Sequence, residues 1–333
     1  MRILGIETSC DETSAAVLNG NEVLSNVISS QAVHLQFGGV VPELASRAHV
    51  RKIVPIVNDA MENADIDFTG IDGIAVTYGP GLVGALLVGI NYAKGIAMIL
   101  KKPFVGINHI EGHIYSNFLE RSDFSPPFMC LVVSGGHTMI VLVKDHLDYR
   151  VIGKTRDDAV GEAFDKVAKL LDLPYPGGPE IDQLAKNGDA SYVEFPRALM
   201  KEKSLDFSYS GLKTAVLNYL KGISERELKD NLSSICASFQ RAAVEVLVHK
   251  TIEAARTYQV RQIAVCGGVA ANSLLRDLMN DEAEKFHLDV NFPALRYCTD
   301  NAAMIARAGL ERLRHGHSSA LDLNAYPALQ LGR

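Results

Sequence analysis

At 333 residues and 47% hydrophobic content, the chain is long enough for two ordinary domains, each burying its own core. A formal net charge of -6 excludes a protein that coats nucleic acid through a general basic field, so any RNA contact is local or shared with partners. Cys10, Cys130, Cys236, Cys266 and Cys298 are odd in number and form no C-x-x-C pair, which excludes a disulfide framework or a zinc ribbon and fits a reducing cytosol.

Taken in chain order, residues 2–7 read as a strand, because this apolar run meets acidic residues too early for a signal peptide or a spanning helix. The polar turn Thr8-Ser9-Cys10-Asp11-Glu12-Thr13 and a second apolar run at 15–18 complete a hairpin. Residues 42–64 carry helical periodicity, 73–77 read as a buried strand, and 82–100 as a long helix rich in small residues. The hairpin pattern recurs at 129–143, where two apolar runs flank Ser134-Gly135-Gly136-His137-Thr138, so the chain looks duplicated. Helices near 158–171 and 232–258, a strand at 262–266, a helix from Ala270 and a last helix around 301–314 follow. The alternation predicts an α/β fold with two mixed sheets. Pro126 and Pro127 make 122–127 the expected junction, since consecutive prolines favour extended chain.

His109-Ile110-Glu111-Gly112-His113 is the sharpest local signal, with two imidazoles four apart in a stretch, 110–119, that reads as helical. Residues i and i+4 share a helix face, so the pair can hold one divalent ion if a third ligand arrives from elsewhere. The alternative is a pair of core or solvent-facing histidines. A zinc peptidase also spaces its histidines by four, but Glu111 sits about 200° around the helix from His109 and points away from the metal face, which disfavours peptidase chemistry.

Three glycine-bearing turns can meet an anion. Ser134-Gly135-Gly136 offers backbone N–H groups in a tight turn, and Cys266-Gly267-Gly268 runs from a strand toward a helix start with its free N–H groups. Tyr175-Pro176-Gly177-Gly178 is a turn first. Plain connections explain each of them equally well. Carboxylates gather at Glu7, Asp11 and Glu12, with Asp165, Asp182 and Asp300 further along, and Asp300 stands where an N-cap of the last helix is natural.

In order, Leu4 to Thr13, Val41-Pro42-Glu43-Leu44-Ala45-Ser46-Arg47, Gly79-Pro80-Gly81-Leu82, His109 to His113, Val133 to Thr138, Gly161 to Asp165, Phe207 to Lys213 and Cys266 to Asn272 resemble the bacterial TsaD family of tRNA threonylcarbamoyladenosine synthases across nearly the whole chain. The resemblance implies two ribonuclease-H-like domains of the actin-like ATPase class, mixed sheets flanked by helices, with a ligand cleft between them. The proline junction places the first domain at 1–125 and the second at 126–298, with 299–333 expected to pack back on the first. The resemblance makes His109, His113 and Asp300 metal ligands, and brings Val132, Val133, Ser134, Gly135, Gly136, Asp165, Gly178, Asp182 and Asn272 to the nucleotide substrate. Archaeal and eukaryotic relatives carry a tyrosine metal ligand where this chain has Val132, which leaves the fourth position to water, Ser134 or substrate.

The implied reaction moves threonylcarbamoyl from threonylcarbamoyl-AMP to the exocyclic amine of the adenosine 3' to the anticodon of tRNA. One divalent ion, iron or zinc, is the implied cofactor, and ATP or ADP is expected in the same cleft. Asp11 is the candidate for acid/base or acceptor-positioning work, and His137 for a donor to phosphate or a proton. Expected partners are tRNA, a TsaB-like paralogue through the first domain and a TsaE-like ATPase, in the cytoplasm and without a membrane. The rival readings are a sugar-kinase-like phosphotransferase and a non-catalytic TsaB-like scaffold.

Overall fold

The computed structural model describes residues 1–30, 39–121 and 123–332, so Ser122 of the expected junction lies outside the described residues. Two compact units divide the chain: Met1–Phe124 together with Pro293–Arg333, and Ser125–Phe292.

The first unit opens with β1 (Arg2–Glu7), β2 (Thr13–Asn19) and β3 (Glu22–Ser29), an antiparallel meander. Helix α1 (Pro42–Asn63), β4 (Gly73–Gly79), α2 (Val83–Leu100), β5 (Phe104–Asn108) and the short α3 (His109–Tyr115) follow. The sheet order is β3-β2-β1-β4-β5, with β4 parallel to β1 and β5 parallel to β4. Leu4, Ile6, Val17, Ile53, Val57, Leu86 and Ile90 pack into one core cluster from both strands and helices. Burying each such side chain contributes roughly 1.5–3 kcal/mol. Among the described residues, α2 is the helix long and apolar enough to cross a membrane by length and composition. It lies against α1 and β4, burying Ala85, Leu86, Ile90, Ala93 and Ala97.

The second unit repeats the plan with β6 (Phe128–Val133), β7 (Thr138–Asp145), β8 (Asp148–Lys154), α4 (Val160–Leu170), α5 (Gly177–Ala185), α6 (Ser210–Lys221), α7 (Glu225–Thr257), β9 (Gln262–Cys266), α8 (Ser273–Lys285) and β10 (Asp289–Asn291). Its order, β10-β9-β6-β7-β8, matches the first sheet strand for strand, a meander plus two parallel strands. The duplication hinted at by the two hairpins is therefore a duplication of whole sheets.

Where α7 begins differs from the sequence reading, which started it at 232. Ser224 accepts from Glu227 N at 3.2 Å. The Ser-x-x-Glu pattern here is that of a capping box, a start signal the periodicity had overshadowed. The helix expected from Ala270 begins instead at Ser273, after a 3₁₀ turn at Gly268–Ala271, with Asn272 as its N-cap.

Asp157 latches the start of α6, accepting from Ser208 Oγ at 2.5 Å, Tyr209 N at 2.7 Å and Ser210 Oγ at 2.8 Å. Burial works to raise its pKa, but these donors outweigh it and hold the carboxyl below the usual aspartate range. A depressed folded pKa contributes stability that is present above the unfolded value and lost as pH falls through the folded one. Because Asp157 is exposed and its charge is screened by solvent, Asp157→Asn is accordingly expected to cost about 0.5–1 kcal/mol at neutral pH. Its melting temperature should fall less steeply in acid than that of the wild type, so that the two curves converge; parallel curves down to pH 2–3 would contradict this.

Helix α9 (Ala302–Arg314) returns the chain to the first unit, packing on β1, β2, β4 and α3. The approach is close because small residues face each other. A Cβ on Gly5 of β1 would stand 2.3 Å from the carbonyl oxygen of Ala302, and one on Gly309 would stand 2.3 Å from Ala75 Cβ.

Candidate functional site

Helix α3 starts abruptly because Asn108 caps it, its Oδ1 accepting from Ile110 N at 2.9 Å. This puts His109 in the first turn and His113 one turn on, with the ring centroids 4.7 Å apart and nearly perpendicular. Asn301, not Asp300, is the N-cap of α9, its Oδ1 accepting from Met304 N at 3.0 Å. That removes the capping role weighed for Asp300 and leaves its carboxylate turned to α3. Asp300 Oδ1 lies 3.5 Å from His109 Nε2 and 3.2 Å from His113 Nε2. One donor atom from each of the three residues falls within 4.8 Å of the others.

Two observations test this trio as a cation site. Tetrahedral ligands about 2.1 Å from an ion stand roughly 3.4 Å apart, which is the spacing of both imidazoles from the carboxylate. Further, His113 is wholly buried, yet neither ring nitrogen has a hydrogen-bond partner. Its Nε2 is close to Asp300 but not aligned for a hydrogen bond. A buried polar atom left so costs about 1–3 kcal/mol, and an ion at this point would satisfy it. The residues fit a divalent metal, and imidazole with carboxylate suits iron or zinc alike.

The surroundings reinforce the arrangement. His109 Nδ1 lies 3.2 Å from Glu7 Oε2 and 3.1 Å from Ser9 Oγ. Burial lowers the pKa of His109, but the carboxylates of Asp300 and Glu7 outweigh it and push it up to about 9. The field that favours a proton there favours any cation. Glu111 faces away from His109, as its helix position requires, and is wholly buried against Arg312 of α9, whose Nε donates at 2.9 Å and Nη2 at 2.8 Å. This pair ties α3 to α9, the two elements that carry the trio.

In the turn between β1 and β2, burial, Asp300 and Asp11 push Glu12 up to about 9, so Asp11 and Glu12 belong to the same acidic field as Asp300. His49 of α1 fixes this turn, bonded to Thr13 Oγ1 at 2.8 Å and to the carbonyl of Cys10 at 2.9 Å. Neither His49 nor the contacts of Glu7 and Arg312 were singled out in the sequence, because their partners lie far away along the chain.

The expected nucleotide residues all lie in the second unit. Val132 and Val133 are buried in β6, and Ser134-Gly135-Gly136 follows at its C-terminal end. His137 serves that turn through its backbone: its N–H donates to Ser134 Oγ at 3.1 Å and its carbonyl accepts from Ser134 N at 2.8 Å. Gly161 of α4 donates to the Ser134 carbonyl. Gly267, at φ +94° where glycine is favoured, sits so close that a Cβ would lie 2.3 Å from the Val133 carbonyl. Gly135 and Gly136 have open space where side chains would be. The ends of parallel β6 and β9 thus bring together two glycine turns and the start of α4, the end of an α/β sheet where ligands bind.

Asp165 of α4 accepts from Gly177 N at 2.8 Å, and Gly178 N contributes a second backbone bond. Burial nonetheless leaves its pKa raised. Asp182 of α5 accepts from Ser273 Oγ at 2.7 Å and from Gln240 Nε2 at 3.0 Å. Asn272 spends its side-chain oxygen on Leu275 N at 3.0 Å. Gln240 was not marked in the sequence.

A family model described as TsaD, tRNA N6-adenosine threonylcarbamoyltransferase, matches residues 22–307. The protein of that name from Clostridium perfringens (strain SM101 / Type A) is 55% identical over 332 residues, covering 99% of this chain and 98% of its own length. That of Clostridium botulinum (strain 657 / Type Ba4) is 54% identical over 334 residues, covering 100% of this chain and 98% of its own. Among solved structures, component A of the Acidaminococcus fermentans (R)-2-hydroxyglutaryl-CoA dehydratase superposes with a TM-score of 0.56 at 15% identity, covering 94% of this chain and 99% of that one. That likeness concerns the fold alone.

Proposed function

Because the chain belongs to the TsaD family of tRNA N6-adenosine threonylcarbamoyltransferases, we propose that it moves threonylcarbamoyl from threonylcarbamoyl-AMP to the exocyclic amine of the adenosine 3' to the anticodon, with one divalent ion, iron or zinc, held by His109, His113 and Asp300. The observation that carries the metal requirement is the buried His113 ring, both of whose nitrogens lack a protein hydrogen bond.

A bound divalent ion supplies a Lewis acid able to polarise the donor's carbonyl. The chain's own groups do the rest. The Ser134 N–H is spent on the His137 carbonyl, so Gly135 and Gly136 supply the backbone N–H groups for the phosphate, which the open space beside both glycines admits. Asp182 takes a ribose hydroxyl through Oδ2, which accepts only a 3.3 Å bond from Ser273 N while Oδ1 carries the shorter ones. Val132, Val133, Asp165, Gly178 and Asn272 shape the same loops, and ATP or ADP occupies them when the donor is absent. Asp11 takes the proton from the acceptor amine or orients it, and His137 adds a donor to the phosphate.

The partners are tRNA, a TsaB-like paralogue and a TsaE-like ATPase. The first unit offers the paralogue an apolar face: Val50 and Val54 of α1 and Val83, Met98 and Ile99 of α2 are exposed. Beside them Val50, Ile53, Leu87, Val88, Asn91 and Tyr92 line a cavity of about 360 Å³. Arg47, Arg51 and Lys52 give α1 a modest basic face, a weaker candidate for RNA since Arg47 is paired with Glu43 at 2.6 Å and Lys52 donates to the Ser30 carbonyl. A cytoplasmic location suits five free cysteines.

Purified chain, partner proteins, threonylcarbamoyl-AMP and tRNA are expected to yield threonylcarbamoyladenosine, detected by nucleoside mass spectrometry. Removal of metal by chelation should lower the yield at least 100-fold, and added Fe²⁺ or Zn²⁺ should restore it. Full activity in rigorously metal-free protein would overturn the metal requirement. Transfer of phosphate from ATP to a sugar, with no modified adenosine, would favour the kinase reading.

A further inference from the structure

We infer that Glu7 is a positioning residue for the metal site, its carboxylate taking the Nδ1–H of His109 and so presenting the Nε2 lone pair to an ion beside Asp300 and His113. This rests on the reading of His109, His113 and Asp300 as ligands.

Glu7 ends β1 and is wholly buried. A carboxylate without solvent needs donors, and three converge on it. Ser9 N donates to Oε1 at 2.5 Å, Thr77 Oγ1 to Oε2 at 2.5 Å, and His109 Nδ1 lies 3.2 Å from Oε2. Glu7 on β1 and Thr77 on β4 belong to adjacent parallel strands, so the sheet itself holds the carboxylate rigid. The logic of the tautomer then follows. An ionised carboxylate only accepts, so its contact with Nδ1 is a hydrogen bond only when Nδ1 carries the hydrogen. In the neutral ring Nε2 is then the bare nitrogen, and Nε2 is the atom 3.5 Å from Asp300. Ser9 Oγ, 3.1 Å from the same Nδ1, accepts alongside. His113 has no such brace, since neither of its nitrogens is hydrogen-bonded. The two histidines are thereby unequal: His109 is oriented by the sheet, and His113 by its burial in α3.

The test measures Zn²⁺ affinity by competition with a chromophoric chelator in wild type, Glu7→Gln, Thr77→Val and His109→Ala, together with the imidazole Nδ1–H proton resonance of His109 in the zinc-loaded protein. Glu7→Gln is expected to weaken zinc binding by about 10–100-fold and to shift the Nδ1–H resonance upfield with faster exchange. Thr77→Val should produce a smaller loss of the same kind. Should Glu7→Gln fail to fold, Glu7→Asp, which retracts the carboxylate by one methylene, is expected to show the same loss of affinity at a near-native melting temperature. Zinc affinity within twofold of wild type and an unmoved Nδ1–H signal in the Glu7 variant, with His109→Ala still impaired, would overturn the role of Glu7 alone. Unchanged affinity in His109→Ala would instead sink the ligand assignment.

Discussion

Asp300→Ala is expected to abolish metal retention and reduce adenosine modification by at least a thousandfold while leaving the chain folded. The side chain contributes no cap to α9, because Asn301 performs that task, and it is partly exposed, so its removal costs little packing. Its chemical loss is large. Without it the two Nε2 atoms lose the carboxylate that stands 3.2–3.5 Å from them, and a third ligand is missing from a site where three protein donors and one open position are the working number. Metal content by elemental analysis, activity and the melting temperature of the metal-free protein separate the effects. Lost metal with an unchanged metal-free melting temperature is the expected combination. A large fall in that temperature would mean that Asp300 holds the fold instead.

Gly5→Val is expected to be the most damaging single change in the first unit outside the ligands. The added Cβ would lie 2.3 Å from the Ala302 carbonyl and 2.8 Å from both Ala306 N and Ala306 Cβ, so it strikes the backbone of α9 in its first turn, two residues from Asp300. Overpacking costs about 1–3 kcal/mol where side chains can yield, and more where backbone must move. Either the helix shifts, taking Asp300 away from His109 and His113, or the unit loses stability. Both outcomes appear as a lower melting temperature together with weaker zinc binding. Gly95→Ala is the contrast: nothing lies within 4 Å of the added methyl in mid-α2, and a gain of about 0.5–1 kcal/mol is expected from helix propensity alone. Equal effects from the two substitutions would show that the packing of α9 on β1 does not carry the site.

Much of this was legible in the sequence, and the remainder was hidden for identifiable reasons. The hairpins at 2–18 and 129–143 exposed the duplication, because their turns are polar and their strands continuous. The strands β3 and β8 were passed over: their partly exposed residues carry mixed polarity, which lacks the clear signal of a buried run. β5 was passed over as well, a short buried run lying directly between the end of α2 and the histidine motif. The four-residue spacing of His109 and His113 revealed a shared helix face, but nothing local could choose between Asp300 and Asn301 as the cap, since both residue types suit that position. The contacts that arrange the site, Glu7 with Thr77 and Glu111 with Arg312, span 70 and 201 residues, and only the folded sheet and helices bring them together.

The central claim is that two side chains of α3 and one from the residue just before the cap of α9 hold one divalent ion. Anomalous diffraction at the iron and zinc absorption edges, on crystals of protein purified without chelators, tests it directly. A single peak about 2.0–2.2 Å from His109 Nε2, His113 Nε2 and an Asp300 carboxylate oxygen is the predicted result. A metal-free site in protein that still modifies adenosine, or an ion bound elsewhere, would contradict it.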